Sequence, residues 1–205
     1  HDQYFFRNPE AMVAGVVKAP TIDLANQELV DSHLQAEWLA ATKEPLAARI
    51  ADNLDMSDAQ KPLNANLETV ISAQETHERG LKSMRQVLDV LDADFGTTRP
   101  HWFDGPEAYA GSLADAVVKR FRQAFDRWRD LFAAAERQRD DAGRTLKDYS
   151  ISDAERKAAT SRQAQANGQI KLLLGGTASF GSDFYVYRYL ATEGFLPGYN
   201  FPRLP

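Results

Sequence analysis

Fourteen basic side chains lie between Lys119 and Arg188, and their type suits one chemistry above others, the neutralisation of phosphates. Lys119, Arg120, Arg122, Arg127, Arg129, Arg137, Arg139, Arg144 and Lys147 follow one another along a stretch with helical periodicity. Arg156, Lys157, Arg162 and Lys171 occupy the next such stretch, and Arg188 sits among aromatics beyond it. A track of this kind binds a polyanion with an affinity that falls steeply as salt is added. Asp126, Asp130, Glu136, Asp140 and Asp141 interleave with it and weaken the field. They also offer helical pairs such as Asp126 with Arg122, and Asp130 with Arg127 or Arg137. A solvated charged face accounts for the same residues. The fourteen are therefore candidate nucleic-acid contacts.

Catalytic chemistry finds less to work with. His33 and Glu37 stand one helical turn apart, and Glu75 and Glu78 flank His77, yet no H-E-x-x-H follows. Surface pairs explain both groups. Without cysteine, thiolate zinc sites, disulfides and cysteine nucleophiles are excluded from these residues, and G-x-S-x-G is missing. An ATP-driven motor needs a G-x-x-x-x-G-K-[ST] loop and an acidic pair for magnesium. The chain has no Gly-Lys-Ser/Thr and no Asp-Glu-x-His. Its glycine cluster, LLLGGTASFGSD, follows Lys171 and reads as a helix end and turn. No catalytic, cofactor or metal site is assigned, and no small-molecule substrate is expected.

The elements that must carry the basic track read as helices. Asn8-Pro9 opens a short one ended by Gly15, and Val16 to Leu24 is extended. Leu29, Val30, Leu34, Trp38 and Leu39 predict a helix over 25–41. Pro45 starts another, with Leu46, Ile50 and Leu54 on one face. Ser57 to Gln60 forms a capping-box pattern, with Pro62 making the start irregular. Leu67, Val70, Ile71, Leu81, Met84, Leu88 and Leu91 continue the period, with Gly80 a break. Residues 96–111 form a Gly/Pro loop, in which Trp102 and Phe103 plug the helical core.

Ala114, Val118, Phe121, Phe125, Trp128, Phe132 and Ala135 alternate steps of three and four, the seam of one long packed helix. Past Gln138 the pattern turns polar and projects into solvent. Ser152 to Glu155 is a second capping box, reversing the chain into a partner helix lined by Ala154, Ala158, Ala159, Ala166, Ile170 and Leu173. Gly175-Gly176 ends it. Ser182 or Asp183 caps a last helix closed by Gly194. The fold class expected is mainly α, a multi-helix bundle with a long antiparallel hairpin and a short extended N-terminal segment. Its parts are an N-terminal helical part (1–95), the loop (96–111), the hairpin (112–175) and an aromatic C-terminal helix with an extended tail (176–205).

Charge is split along the chain. Through Asp115 there are 9 Lys/Arg against 19 Asp/Glu, and from Ala116 onward 15 against 10. An acidic body thus carries a mildly basic arm. No run approaches the roughly 18 apolar residues that span a membrane, and His1 to Glu10 is no signal peptide, so a cytoplasmic protein without membrane contact is expected.

The last stretch, SDFYVYRYLATEGFLPGYNFPRLP, gathers Phe184, Tyr185, Tyr187, Tyr189, Phe195, Tyr199 and Phe201 around Arg188 and Arg203. Those rings either stack on unpaired bases or anchor the last helix to its neighbours, and the anchor is the expected role. This phrase resembles one found downstream of the motor domains in large bacterial superfamily 2 helicases of the DEAD/DEAH type. The opening, HDQYFFRNPEAMVAG with IDLANQELVDSHLQAEWLA, resembles the segment directly after their second motor domain. The resemblance covers roughly the first 40 and last 25 residues and no catalytic motif. It implies an accessory region of an ATP-dependent DNA helicase, with motor domains before it, further sequence after it, and ATP and magnesium used by the parent only. DNA is then the expected ligand. A helical protein–protein scaffold is the alternative.

Overall fold

Asn26 opens the first helix because its Oδ1 accepts the Leu29 N–H at 3.2 Å, satisfying one of the free donors at a helix start. The computed structural model describes residues 24–175 and 185–198, and these are mainly α. Helix α1 spans Gln27–Ala41, and a 3-10 turn follows at Ile50–Asn53. Next come α2 (Ala65–Ser72), α3 (Gln74–Phe95), α4 (Pro106–Gln123), α5 (Asp126–Leu146), α6 (Asp153–Leu173) and α7 (Val186–Thr192). Among the described residues the β-pairing is confined to isolated bridges, Arg49 with Tyr185 and Leu54 with Leu63.

One core runs from α1 to α7. Leu34 and Trp38 of α1 meet Met84 and Leu88 of α3, Val117 and Phe121 of α4, and Val186 and Leu190 of α7, all buried. Trp38 touches Phe121 with ring centroids 5.6 Å apart and Phe195 at 6.2 Å. Phe121 in turn meets Phe125 edge-on at 5.4 Å. Tyr189, Phe195, Val186 and Leu190 therefore anchor the C-terminal helix, as expected of the aromatic segment. Phe184, Tyr199, Phe201 and Arg203 lie outside the described residues, as do the helix expected at Asn8-Pro9, most of the extended stretch at 16–24, and Ser182 and Asp183. Among described residues, Tyr185 holds the cap position of α7, and Gly194, at φ +76°, ends it.

Several expected boundaries move, each for a physical reason. Pro45 does not start a helix: Leu46, Ile50 and Leu54 are all buried, but from a loop with only the 3-10 turn. Asn53 holds that loop, accepting the Ala47 N–H and donating to the Ala47 and Arg49 carbonyls, each at 2.9 Å. Ser57 caps no helix. Asp55 takes its N–H and hydroxyl instead, and α2 begins after Asn64, whose Oδ1 accepts the Leu67 N–H. The helix break falls at Ala73, between α2 and α3.

Gly80 is no break but lies inside α3, where Trp38 presses on it. A Cβ placed there would sit 2.6 Å from Trp38 Cδ1. Gly80→Ala gains up to about 1 kcal/mol of helix propensity but overpacks a rigid indole, which costs about 1–3 kcal/mol. Trp38 is held by Phe121 and Phe195 and has nowhere to go. The net expectation is a loss of about 1–2 kcal/mol, read as a lower urea midpoint. A raised midpoint would show that the indole yields.

Residues 96–105 form the expected loop, but Pro106 is the first residue of α4, so 106–111 is helix. Proline suits that position because the missing N–H has no helical partner there. Phe103 is buried and Trp102 half-buried against Phe95 and Tyr109, with the Trp102 indole N–H donated to Ala25 O at 2.8 Å. The loop thus plugs the core. The long helix expected through Ala135 bends at Ala124 and Phe125, splitting into α4, which packs on the body, and α5, which leaves it. The hairpin is consequently 126–173, shorter than expected.

Candidate interaction arm

Helices α5 and α6 pair antiparallel along a narrow seam. On α5 the inward positions are Trp128, Phe132, Ala135, Arg139, Ala142 and Leu146; on α6 they are Arg156, Ala159, Gln163, Ala166, Ile170 and Leu173. Each set alternates steps of three and four, which keeps one face on the partner as in a coiled coil. Ala135, Ala142, Ala159, Ala166 and Leu173 are buried. Ala154 and Ala158, expected inside, are exposed, and Arg156 and Gln163 take half-buried seam positions instead. Small residues let the helices approach: a Cβ on Gly143 would lie 3.3 Å from Gln163 Nε2.

The turn between them is fixed by hydrogen bonds. Asp148 Oδ1 accepts the Ser150 N–H at 2.8 Å and its hydroxyl at 2.7 Å. Ser152 and Glu155 form the expected capping box, with Glu155 Oε2 accepting the Ser152 N–H at 2.8 Å. These bonds hold both carboxyls below the usual carboxylate range. Arg156 reaches back to the Leu146 carbonyl at 3.3 Å and the Asp148 carbonyl at 3.4 Å. Tyr149, at the apex, is 95% exposed. Gly175, at φ +75°, follows the end of α6, and Gly176 lies outside the described residues.

The arm's polar ties to the body arise near its root. Trp128 N–H donates to Tyr189 Oη at 3.0 Å, and its indole N–H to Leu173 O at 3.2 Å. Burial, with Glu193 nearby, pushes the Tyr189 hydroxyl up to about 12. Arg129 Nε donates to Lys61 O at 2.8 Å, and Lys61 Nζ pairs with Glu136 at 3.3 Å. Beyond Glu136, the ion pairs of α5 among the described residues stay within the helix.

The fourteen candidate cations separate on this scaffold. Arg120 pairs with Asp31 of α1 at 2.7 Å, and Arg122 pairs with Glu68 of α2, drawing that carboxyl below its ordinary range. Arg127 meets Glu193 at 3.3 Å and Arg129 meets Asp126 at 2.7 Å. The expected pairs of Asp126 with Arg122 and of Asp130 with Arg127 or Arg137 do not form among the described residues: Arg122 and Arg127 turn to other elements, and Asp126 takes Arg129 within α5. Arg139 pairs with Asp140, Arg144 with Asp141, and Arg156 serves the turn. Arg188 is exposed on α7 and has a partner. Lys119, Arg137, Lys147, Lys157, Arg162 and Lys171 make no ion pair among the described residues, and all but Lys119 belong to the arm.

The histidine motifs resolve into local bonding. His33 Nδ1 lies 2.8 Å from Leu29 O, Glu37 accepts the Ser83 hydroxyl at 2.7 Å, and Glu75 pairs with Arg79. Among the described residues no cluster of His, Asp and Glu is arranged to hold a metal. No helix there is long and apolar enough to cross a membrane.

One groove of about 690 Å³ lies between the start of α1 and the end of α7, lined by Asp31, Gln35, Arg120, Glu193 and Phe195. Beside it Tyr109 donates to Asp31 Oδ1 at 2.5 Å, and burial followed by that bond raises its hydroxyl well above the ordinary value. Asp31, Tyr109 and Arg120 are far apart in the chain, so no spacing in the sequence marks this network. Comparison with protein-family models, with curated protein sequences and with solved structures gives no match to this chain.

Proposed function

We propose that the chain is a non-motor, helical attachment of an ATP-dependent DNA helicase of the DEAD/DEAH type, assisting nucleic-acid engagement or the arrangement of the motor domains. The observation that carries this reading is the α5–α6 arm, a two-helix lever locked at its root by Trp128 and at its tip by the Ser152 capping box. Such an element transmits position and does no bond chemistry. The end phrases that resemble helicase sequence support such a parent, which would bring ATP and magnesium. The partners are then the parent's motor domains and DNA.

The test uses the longer polypeptide that would contain this chain. Replacing residues 137–166 by a short Gly/Ser turn is expected to leave DNA-stimulated ATP hydrolysis within twofold and to cut unwinding several-fold. The 205-residue chain alone is expected to turn over no ATP. A parent without a nucleotide-driven motor, or unwinding unchanged by the deletion, would sink the reading.

The second reading is a protein-docking scaffold. Leu131, Leu172 and Leu174 are exposed apolar side chains near the arm's root, and they favour it. In that case the arm deletion abolishes a protein contact and leaves DNA affinity unchanged.

A further inference from the structure

We propose that the outer face of α6 docks the phosphate backbone of a nucleic acid through Lys157, Arg162 and Lys171. From Arg156 to Leu173 the helix carries four basic residues and no acidic one. Its two carboxylates, Asp153 and Glu155, sit in the first turn, where the helix dipole favours negative charge. Arg156 is engaged with the Leu146 and Asp148 carbonyls, and the other three cations make no ion pair among the described residues.

Placement on the helix sharpens this. Lys157 and Lys171 are two heptads apart and share one margin of the outer face, while Arg162 falls on the opposite margin. Between them Ala158, Ser161, Ala164, Gln165 and Gly168 are exposed, small or uncharged. A folded acidic protein would be held by a central aromatic or aliphatic anchor, and none stands between Lys157 and Lys171 on this face. A phosphodiester backbone needs cations and room to approach, which this face offers.

The contrast with α5 decides which helix is the contact. Arg139 and Arg144 are matched by Asp140 and Asp141, so the field of α5 is largely cancelled. The body is a poor site as well. Residues 24–125 hold 10 Lys/Arg against 16 Asp/Glu, which repels a polyanion and steers it toward the arm. This inference deepens the arm reading above, but it stands on the charges of this chain whatever the parent is.

The test is a fluorescence-anisotropy titration of the 205-residue chain with a short mixed-sequence duplex. Three phosphate contacts predict a log–log salt slope of about −2.7, hence a loss of about 40-fold between about 50 and 200 mM salt. The K157E/R162E/K171E variant is expected to bind at least about tenfold more weakly at low salt, with a flatter slope. K43E/K82E/R85E carries the same net charge on the body and is expected to bind like wild type. Circular dichroism checks that both variants fold. Equal weakening in the two variants would reduce the effect to bulk charge and overturn the proposal. Absent binding at low salt would overturn it too, as would α6-dependent self-association in sedimentation, which makes a second copy the occupant. Intact binding by the α6 variant, with unwinding still lost on arm deletion, would remove this face and leave the attachment reading standing.

Discussion

Trp128→Ala is expected to lower the unfolding free energy by about 3–5 kcal/mol, a large share of the stability of a domain this size. Trp128 is fully buried and stacks on Phe132 with centroids 5.0 Å apart and planes 18° from parallel. Its backbone and side chain together join three helices at the arm's root. Its backbone N–H reaches Tyr189 of α7, and its indole N–H reaches Leu173, the last residue of α6. Alanine keeps the backbone bond but empties an indole-sized volume and strands the Leu173 carbonyl. Trp128→Phe restores most of the packing without the N–H, so it should cost about 1–2 kcal/mol. Urea unfolding followed by far-UV circular dichroism orders the three proteins. Hydrogen exchange should show the root of α5 and α6 opening in the alanine variant before the α1–α3 core does. A loss under about 1 kcal/mol would mean that the arm is not fastened through this ring.

Legibility in the sequence followed the range of the interaction. The seam of α1, the start of the α5 seam and the Ser152 capping box depend on residues three or four apart, and the periodicity exposed them. Beyond Gln138 the α5 seam was hidden because it runs through Arg139, Ala142 and Leu146, too few apolar residues to stand out among charges. On α6 Arg156 and Gln163 take places expected for Ala154 and Ala158. The bend at Ala124 and Phe125 was invisible for the opposite reason: Phe121, Phe125 and Trp128 keep helical spacing across it, so an unbroken helix fits equally well.

The basic residues were legible as a series along the chain, but what each of them holds was not, because it depends on partners brought in by folding. Arg120 meets Asp31 across 89 positions of sequence, and Arg122 meets Glu68 across 54. Only local pairs could be drawn beforehand, and Asp126 chose Arg129 over Arg122 because Arg122 had left for α2. Exposed pairs of this kind contribute little to stability, about 0–1 kcal/mol. Their consequence is electrostatic: they thin the row of free cations on α5, where Arg137 makes no ion pair among the described residues, and do not reach Lys157, Arg162 and Lys171 of α6.

Asn53→Ala carries the second largest expected loss, about 3 kcal/mol, from a residue that no motif marked. Asn53 is 2% exposed, and its amide closes the 47–53 loop by accepting one N–H and donating to two carbonyls. Leu46, Ile50 and Leu54 mimic a helix face in sequence, yet the amide satisfies the backbone groups that a helix would have paired. Alanine leaves those groups buried and unsatisfied, whereas changes to the apolar residues would only cost packing. Asn53→Asp separates the two halves of the clasp. An ionised carboxylate still accepts the Ala47 N–H, but it faces the Ala47 and Arg49 carbonyls without a proton to donate. Burial and those carbonyls raise its pKa in the folded state above the unfolded value, so the native form prefers the proton. Stability of the aspartate variant should therefore be lowest at neutral pH and recover relative to the alanine variant as pH falls through that raised value. Denaturation midpoints of both variants across the acidic range measure the difference. A constant gap between them would show that the donated hydrogen bonds do not hold the loop, and that the turn stands on the burial of Leu46, Ile50 and Leu54 alone.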